Sequence, residues 1–263
     1  MYTRGLLLLV VLPLVVTMCT GASVPEERTY AGEAKCWSGD SHLGESMKFN
    51  DNNPHLGSVG FDNTIQSVKV TGMWIFYDDP DYNSNTADSS RFFYVHGLDY
   101  SMTIPDEYKN KATSLRYAGS QHKLNDDYWS IYQGMYFAGD TLGGTNDMTD
   151  LSFLTFDAFS VILVGKTAWS FCEGVNYAGP CVCMWPDTHH DDTLFRELDL
   201  GIFPTLTSYG GILRVRSVRK GCYGKVISSS SDSGSSSSSS SRITHVSQGT
   251  EGGFGYIEKK KID

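Results

Sequence analysis

Between Gly72 and Ser120 the apolar positions fall into three short runs broken by turn-forming residues. Met73–Tyr77 and Arg91–Val95 are rich in aromatic and branched side chains, and Thr113–Tyr117 is a third run of the same kind. Asp, Pro, Asn, Ser and Gly separate them, which is the punctuation of strands joined by tight turns. Elsewhere the pattern alternates, as at Val68 and Val70 or Leu213 and Val215, the mark of a strand with one face buried in a sandwich. No long stretch carries apolar residues at i, i+3, i+4 and i+7, so the pattern predicts an all-β chain.

The runs recur with a period of about forty to fifty residues. A first unit spans 29–70, with a strand at Ala34–Trp37 and a closing strand within Phe61–Val70. A second spans 71–120. A third spans 126–165, with the hairpin Tyr128–Gly139 and a closing strand at Phe156–Val164. A fourth spans 166–219, opening on Trp169–Gly179 and closing on Gly211–Val218. The third unit shows the spacing most clearly: Tyr132, then Phe137 five residues on, then Gly139 two further. That spacing describes a hairpin folded back over its own sheet, with an aromatic ring beneath the fold and Gly at a backbone conformation that side chains resist. One unit cannot bury its own apolar face. Two can, so four units predict two sandwiches, at 29–120 and 125–222.

Taken together, Trp74, Tyr77, Pro80-Asp81-Tyr82, the later His96-Gly97-Leu98-Asp99-Tyr100 and the closing strand Ser114–Tyr117 resemble a βγ-crystallin Greek-key motif. The resemblance extends over about 29–220 and implies two Greek-key β-sandwich domains. It departs from the pattern in three places. Ser84 stands where Gly is expected, Cys172 replaces an aromatic, and the first unit keeps only Trp37, Gly44 and its closing strand.

The ends of the chain are of other material. Residues 1–22 read as a signal peptide: Arg4, the apolar run Leu6–Val16, then Thr20-Gly21-Ala22. No second run is long enough to span a bilayer, so the mature chain is expected to be secreted and extracellular. Residues 223–263 hold the serine runs Ser228–Ser231 and Ser235–Ser241, and read as a disordered Ser/Gly-rich tail. Aromatic residues make up 13% of the chain, and its 27 Gly suit strands and tight turns.

The formal charge of −9 becomes −10 when Arg4 leaves with the signal peptide. Such a chain repels nucleic acid. It suits cations, an extracellular matrix, a mineral surface or a basic secreted protein. Of six cysteines, Cys19 leaves with the signal peptide, and Cys36, Cys172, Cys181, Cys183 and Cys222 remain. Secretion permits disulfides, four of the five lie in the second half of the chain, and an odd number leaves one thiol free or paired between chains.

Calcium is the first candidate chemistry. The resemblance implies a site through the pattern N/D-N/D-x-x-S/T-S before a closing strand, where hard oxygens gather. The first unit has Asp62-Asn63-Thr64-Ile65-Gln66-Ser67, with Gln66 in place of Ser or Thr. The second has Lys109-Asn110-Lys111-Ala112-Thr113-Ser114, with Lys109 in place of an oxygen donor. The expected ligands of Ca²⁺ are therefore Asp62, Asn63, Gln66, Asn110 and Thr113. Units three and four keep too little of the pattern. Asp79–Asn83 begins like an EF-hand loop but has Ser84 at position six and Ser90 at position twelve. Cys181, Cys183, His189 and His190 fit no common zinc module, and in an oxidising compartment the cysteines are expected to pair. The chain has no H-E-x-x-H, G-x-S-x-G or phosphate-binding Gly loop, so it is expected to be non-catalytic. Two roles follow: a structural or binding protein, or a secreted defence protein or inhibitor that binds another protein.

Overall fold

The computed structural model describes residues 31–86, 89–186, 198–206, 214–228, 242–247 and 252–258. The signal-peptide segment, His189, His190, Ser229–Ser231 and Ser235–Ser241 lie outside the described residues.

Strands β1 (Glu33–Trp37), β2 (Ser46–Phe49), β3 (Ser67–Tyr77), β4 (Phe92–Thr103) and β5 (Ser114–Ala118) build the first sandwich. β3 and β4 are long because each serves both layers. The first half of β3 pairs with β1 and with the second half of β4, at Val68↔Met102 and Val70↔Tyr100. Its second half pairs with β5 and with the first half of β4, at Trp74↔Tyr117 and Trp74↔Val95. The register shifts between Val70 and Gly72. Gly72 sits there at φ +90°, where a Cβ would come within 2.5 Å of the Tyr117 ring. The chain can turn from one layer to the other at this point because it carries no side chain.

The second sandwich repeats the plan with separate strands. β6 (Tyr128–Tyr132), β7 (Thr141–Gly144), β8 (Ser160–Val164) and β11 (Leu200–Phe203) form one layer in the order β11-β8-β6-β7. β9 (Trp169–Cys172), β10 (Cys181–Trp185), β12 (Ser217–Lys220) and β13 (Lys225–Ser228) form the other in the order β12-β9-β10-β13. β11 belongs to the fourth unit but pairs with β8 of the third. The second half of β4 belongs to the second unit but pairs with β3 of the first. This exchange of third strands interlocks each pair of units as Greek keys.

Three clusters of buried side chains account for the alternation. Trp74, Phe76, Phe93, Val95, Leu115 and Tyr117 point into the first sandwich. Trp129, Ile131, Leu163, Trp169, Phe171 and Val218 point into the second. Met73, Ile75, Tyr77, Phe92 and Tyr94 point out of the first and pack against Tyr132, Phe137, Ile162, Val164 and Ile202 of the second. The run M-W-I-F-Y is unbroken because both of its faces are buried.

Within the tail, β13, β14 (Arg242–Ser247) and β15 (Gly252–Glu258) are described. β13 pairs in parallel with β10. β15 pairs antiparallel with the first half of β4, from Gly252↔Gly97 to Tyr256↔Phe93, and β14 pairs with β15. The R-I-T-H-V-S and F-G-Y-I-E segments carry β-formers that the Ser/Gly composition of the whole tail conceals.

Candidate functional site

The folded hairpins come first, because they hold the loops of interest. Each unit drives a short run into the left-handed region: Ser41 and His42, then Asp81 to Asn83, Tyr136 and Phe137, and Asn176 and Tyr177. Each run is held by a buried Ser at the start of the closing strand. Ser67 Oγ donates to Gly39 O at 2.6 Å and accepts from His42 N at 2.9 Å. Ser114 does the same with Asp79 O and Tyr82 N, Ser160 with Gly134 O and Phe137 N, and Ser217 with Gly174 O and Tyr177 N. The ring spacing holds in the first unit as well. His42 lies five residues after Trp37, two before Gly44, and packs its ring 4.5 Å from Trp37. Its imidazole takes the place of the expected aromatic. In the second unit the absent Gly is offset by Asn83, whose side chain accepts from Asp79 N and donates to Arg91 O. Asp79 also pairs with Arg91, and Asp81 lies 3.2 Å from His55, so the EF-hand-like stretch is hairpin.

Between hairpins and closing strands, the loops 62–67 and 109–114 lie side by side about a local two-fold. Asn63 N donates to Ala112 O at 2.9 Å, and Asn110 N donates to Ile65 O at 2.9 Å. Gln66 N donates to Trp37 O, and Thr113 N donates to Tyr77 O in the same way. Ile104 N reaches Gln66 O as Leu56 N reaches Thr113 O. Asn63 and Asn110 hold φ of 51° and 56°, a conformation that Asn tolerates better than most residues.

This symmetry divides the five sequence-expected ligands between two ends of the loop pair. Asp62 and Asn63 meet Ala112–Thr113 and, through Tyr77 O, the hairpin of the second unit. Asn110 meets Ile65–Gln66 and, through Trp37 O, the hairpin of the first. Asp62 is half-buried: its Oδ2 accepts from Asn63 Nδ2 at 3.0 Å, and its Oδ1 is buried without a hydrogen-bond partner. A buried carboxylate oxygen left in that state is costly. The loop pair that holds it carries the Asp62 carboxylate, the Asn63 amide, the Ala112 carbonyl and the Thr113 hydroxyl, oxygens of the kinds that a hard cation such as Ca²⁺ takes. Among the described residues no three His, Cys, Asp or Glu side chains gather round one point. A cation at the Asp62 end would therefore depend on one carboxylate and several neutral oxygens, the chemistry of a weak site.

The opposite end carries Lys109 at the position equivalent to Asp62. Its ammonium lies 2.8 Å from Asp40 Oδ1 and 2.7 Å from Asp106 Oδ1. Hydrogen bonds to Asp106 and Asp40 raise the Lys109 pKa, and Lys109 in turn holds Asp106 below the usual carboxylate range.

The cysteine cluster resolves into two disulfides, Cys172–Cys181 and Cys183–Cys222. That removes both thiols from zinc chemistry. Cys172 fills the place of the missing hairpin aromatic and bonds directly across the strand pair. Cys36 is free and wholly buried, and burial pushes its thiol far above the ordinary range.

Residues 33–117 match the family model for Beta/Gamma crystallin. The structure is similar to Geodin, a beta-gamma crystallin from Geodia cydonium, at 20% identity and a TM-score of 0.54 over 72% of this chain and 99% of that one. At that identity the likeness is one of fold. Protein S in complex with calcium is matched at 15% identity over 72% of this chain and 98% of that one, with a TM-score of 0.27. No curated protein matches the chain.

Proposed function

Because the chain carries a beta/gamma crystallin domain at residues 33–117 and so belongs to that family, we propose that it is a non-catalytic, secreted structural or binding protein whose first sandwich takes Ca²⁺ weakly at the Asp62 end of its loop pair. The observation that carries the calcium reading is Asp62 Oδ1, a buried anionic oxygen without a partner at a point where two loops meet. Asn63 and Thr113 are the neighbours that would complete the site, with Gln66 and Asn110 shaping the other end. Bound there, the ion supplies a positive charge to Asp62 and ties the two loops to each other. Secretion is supported by the apolar leader at 1–22 and by the two disulfides, which suit an oxidising compartment. The acidic balance suits a matrix, mineral or basic protein partner outside the cell.

The test is thermal unfolding of residues 23–263 in chelator and then in rising Ca²⁺. A ligand that binds only the folded state stabilises it by about 2.7 kcal/mol at a hundred times its Kd. The midpoint should climb with dose into the millimolar range, and Asp62→Ala should abolish the climb. A flat midpoint in the unaltered chain would remove calcium from the account and leave the loops as structural turns.

A further inference from the structure

The two ends of the loop pair are alike in backbone and opposite in charge. At one end the position before the left-handed Asn is Asp62, at the other Lys109. The Lys109 ammonium lies within 2.9 Å of both Asp40 carboxylate oxygens and 2.7 Å from Asp106 Oδ1. Asp40 belongs to the folded hairpin of the first unit and Asp106 to the turn that leads into the second loop, so the ammonium joins separate segments. The Lys109 side chain is only 16% exposed. An ordinary surface pair places two waving side chains in water and contributes little. Here one mostly covered ammonium bridges two exposed carboxylates that come from separate segments of the two-fold frame.

Resting on the calcium reading of the Asp62 end, we propose that Lys109 is the resident cation of the second position: its ammonium does at this end of the loop pair what Ca²⁺ does at the other. A divalent ion arriving there would meet a positive charge already in place. Like charges a few ångströms apart repel, and the divalent charge doubles that repulsion. The domain therefore takes a single Ca²⁺, and half of its loop pair is held together without any. The charges balance in a way that can be tested. If Lys109 is replaced by Asn, Asp40 and Asp106 keep two negative charges, which is the charge of one Ca²⁺, and the loop regains an oxygen where the first loop has one.

The experiment is calorimetric titration of residues 23–263 with Ca²⁺ for the unaltered chain, Lys109→Asn and Lys109→Met, each checked for native circular dichroism. The expected stoichiometries are one, two and one, because Met removes the ammonium without supplying an oxygen. Thermal unfolding gives a second reading: in chelator both variants should melt below the unaltered chain, and only Lys109→Asn should recover the difference when Ca²⁺ is added. A stoichiometry of one for both the unaltered chain and Lys109→Asn overturns the Lys109 proposal and leaves the Asp62 site standing. None for the unaltered chain and one for Lys109→Asn removes the Asp62 site and supports Lys109 as the resident cation. None for either overturns both.

Discussion

The Ser160 hydroxyl donates to Gly134 O at 2.7 Å and accepts from Phe137 N at 3.0 Å, and the residue is wholly buried. Replacing it with Ala leaves a carbonyl and an amide of the folded hairpin without partners, each of which costs roughly 1–3 kcal/mol when buried. Ser160→Ala should therefore lower the urea unfolding free energy by about 2 kcal/mol, while Ser152→Ala, on an exposed turn, should stay within about 0.5 kcal/mol. Equal effects from the two would mean that the clamp does not hold the hairpin. At this scale the sequence was partly readable. Tyr132, Phe137 and Gly139 announced their hairpin by spacing. His42 did not, because an imidazole is not usually counted among packing rings, though here it packs on Trp37. The four clamp serines were hidden for another reason. A lone Ser before a strand looks like any turn residue until its partners, 23 to 43 residues away, are known. Asp62, Asn63, Asn110 and Thr113 were legible as a pattern. Their division between two ends was not, since it depends on pairing across 47 residues, from Asn63 to Asn110.

Among the elements, β10 carries the most covalent constraint. Cys181 joins it to β9 through a loop of 9 residues, and Cys183 joins it to Cys222 through one of 39. In the chain-entropy account the longer closure stabilises by about 4 kcal/mol and the shorter by about 2.5 kcal/mol. The pair Cys183→Ala with Cys222→Ala should consequently lower the thermal midpoint more than Cys172→Ala with Cys181→Ala. Paired melts of the two double variants decide this, and the reverse order would mean that cross-strand packing at Cys172 outweighs loop closure. The closing strands β3, β5 and β8 could be read from apolar content alone. The third strands could not. The second half of β4 and β11 each leave their own unit to pair with the neighbouring one, and no local pattern records which sheet a strand will join. β14 and β15 were masked for a compositional reason: short β-forming segments are diluted by the serine runs beside them.

Across the whole molecule, the two sandwiches are joined by a buried apolar interface with a few directed bonds. Tyr77 Oη donates to Phe137 O at 2.7 Å, Gly139 N donates to Tyr82 O at 3.0 Å, and Arg116 Nη2 donates to Gly139 O at 2.8 Å. The Arg116 guanidinium lies 3.7 Å from the centre of the Tyr82 ring. The unbroken runs M-W-I-F-Y, F-F-Y-V and V-I-L-V were the signs of this interface in the sequence, because a strand facing solvent on one side would have alternated. Burial has a consequence for pH. It raises the pKa of Tyr77 and Tyr132 in the interface, and of Tyr117 inside the first sandwich, well beyond the ordinary value. Below pH about 10 these tyrosines are protonated in both the folded and unfolded chain, so their full contribution is present. Above it the unfolded chain releases protons that the folded chain retains, and stability falls as pH rises, by about 1.4 kcal/mol per pH unit for each tyrosine or about 4 kcal/mol per unit for the three. The tyrosinate absorbance of these rings should therefore appear together with the loss of near-ultraviolet circular dichroism, in one alkaline step. If Tyr77, Tyr117 and Tyr132 ionise with the other tyrosines while the dichroism stays native, water reaches the interface in the folded state, and the two sandwiches are not held as one closed body.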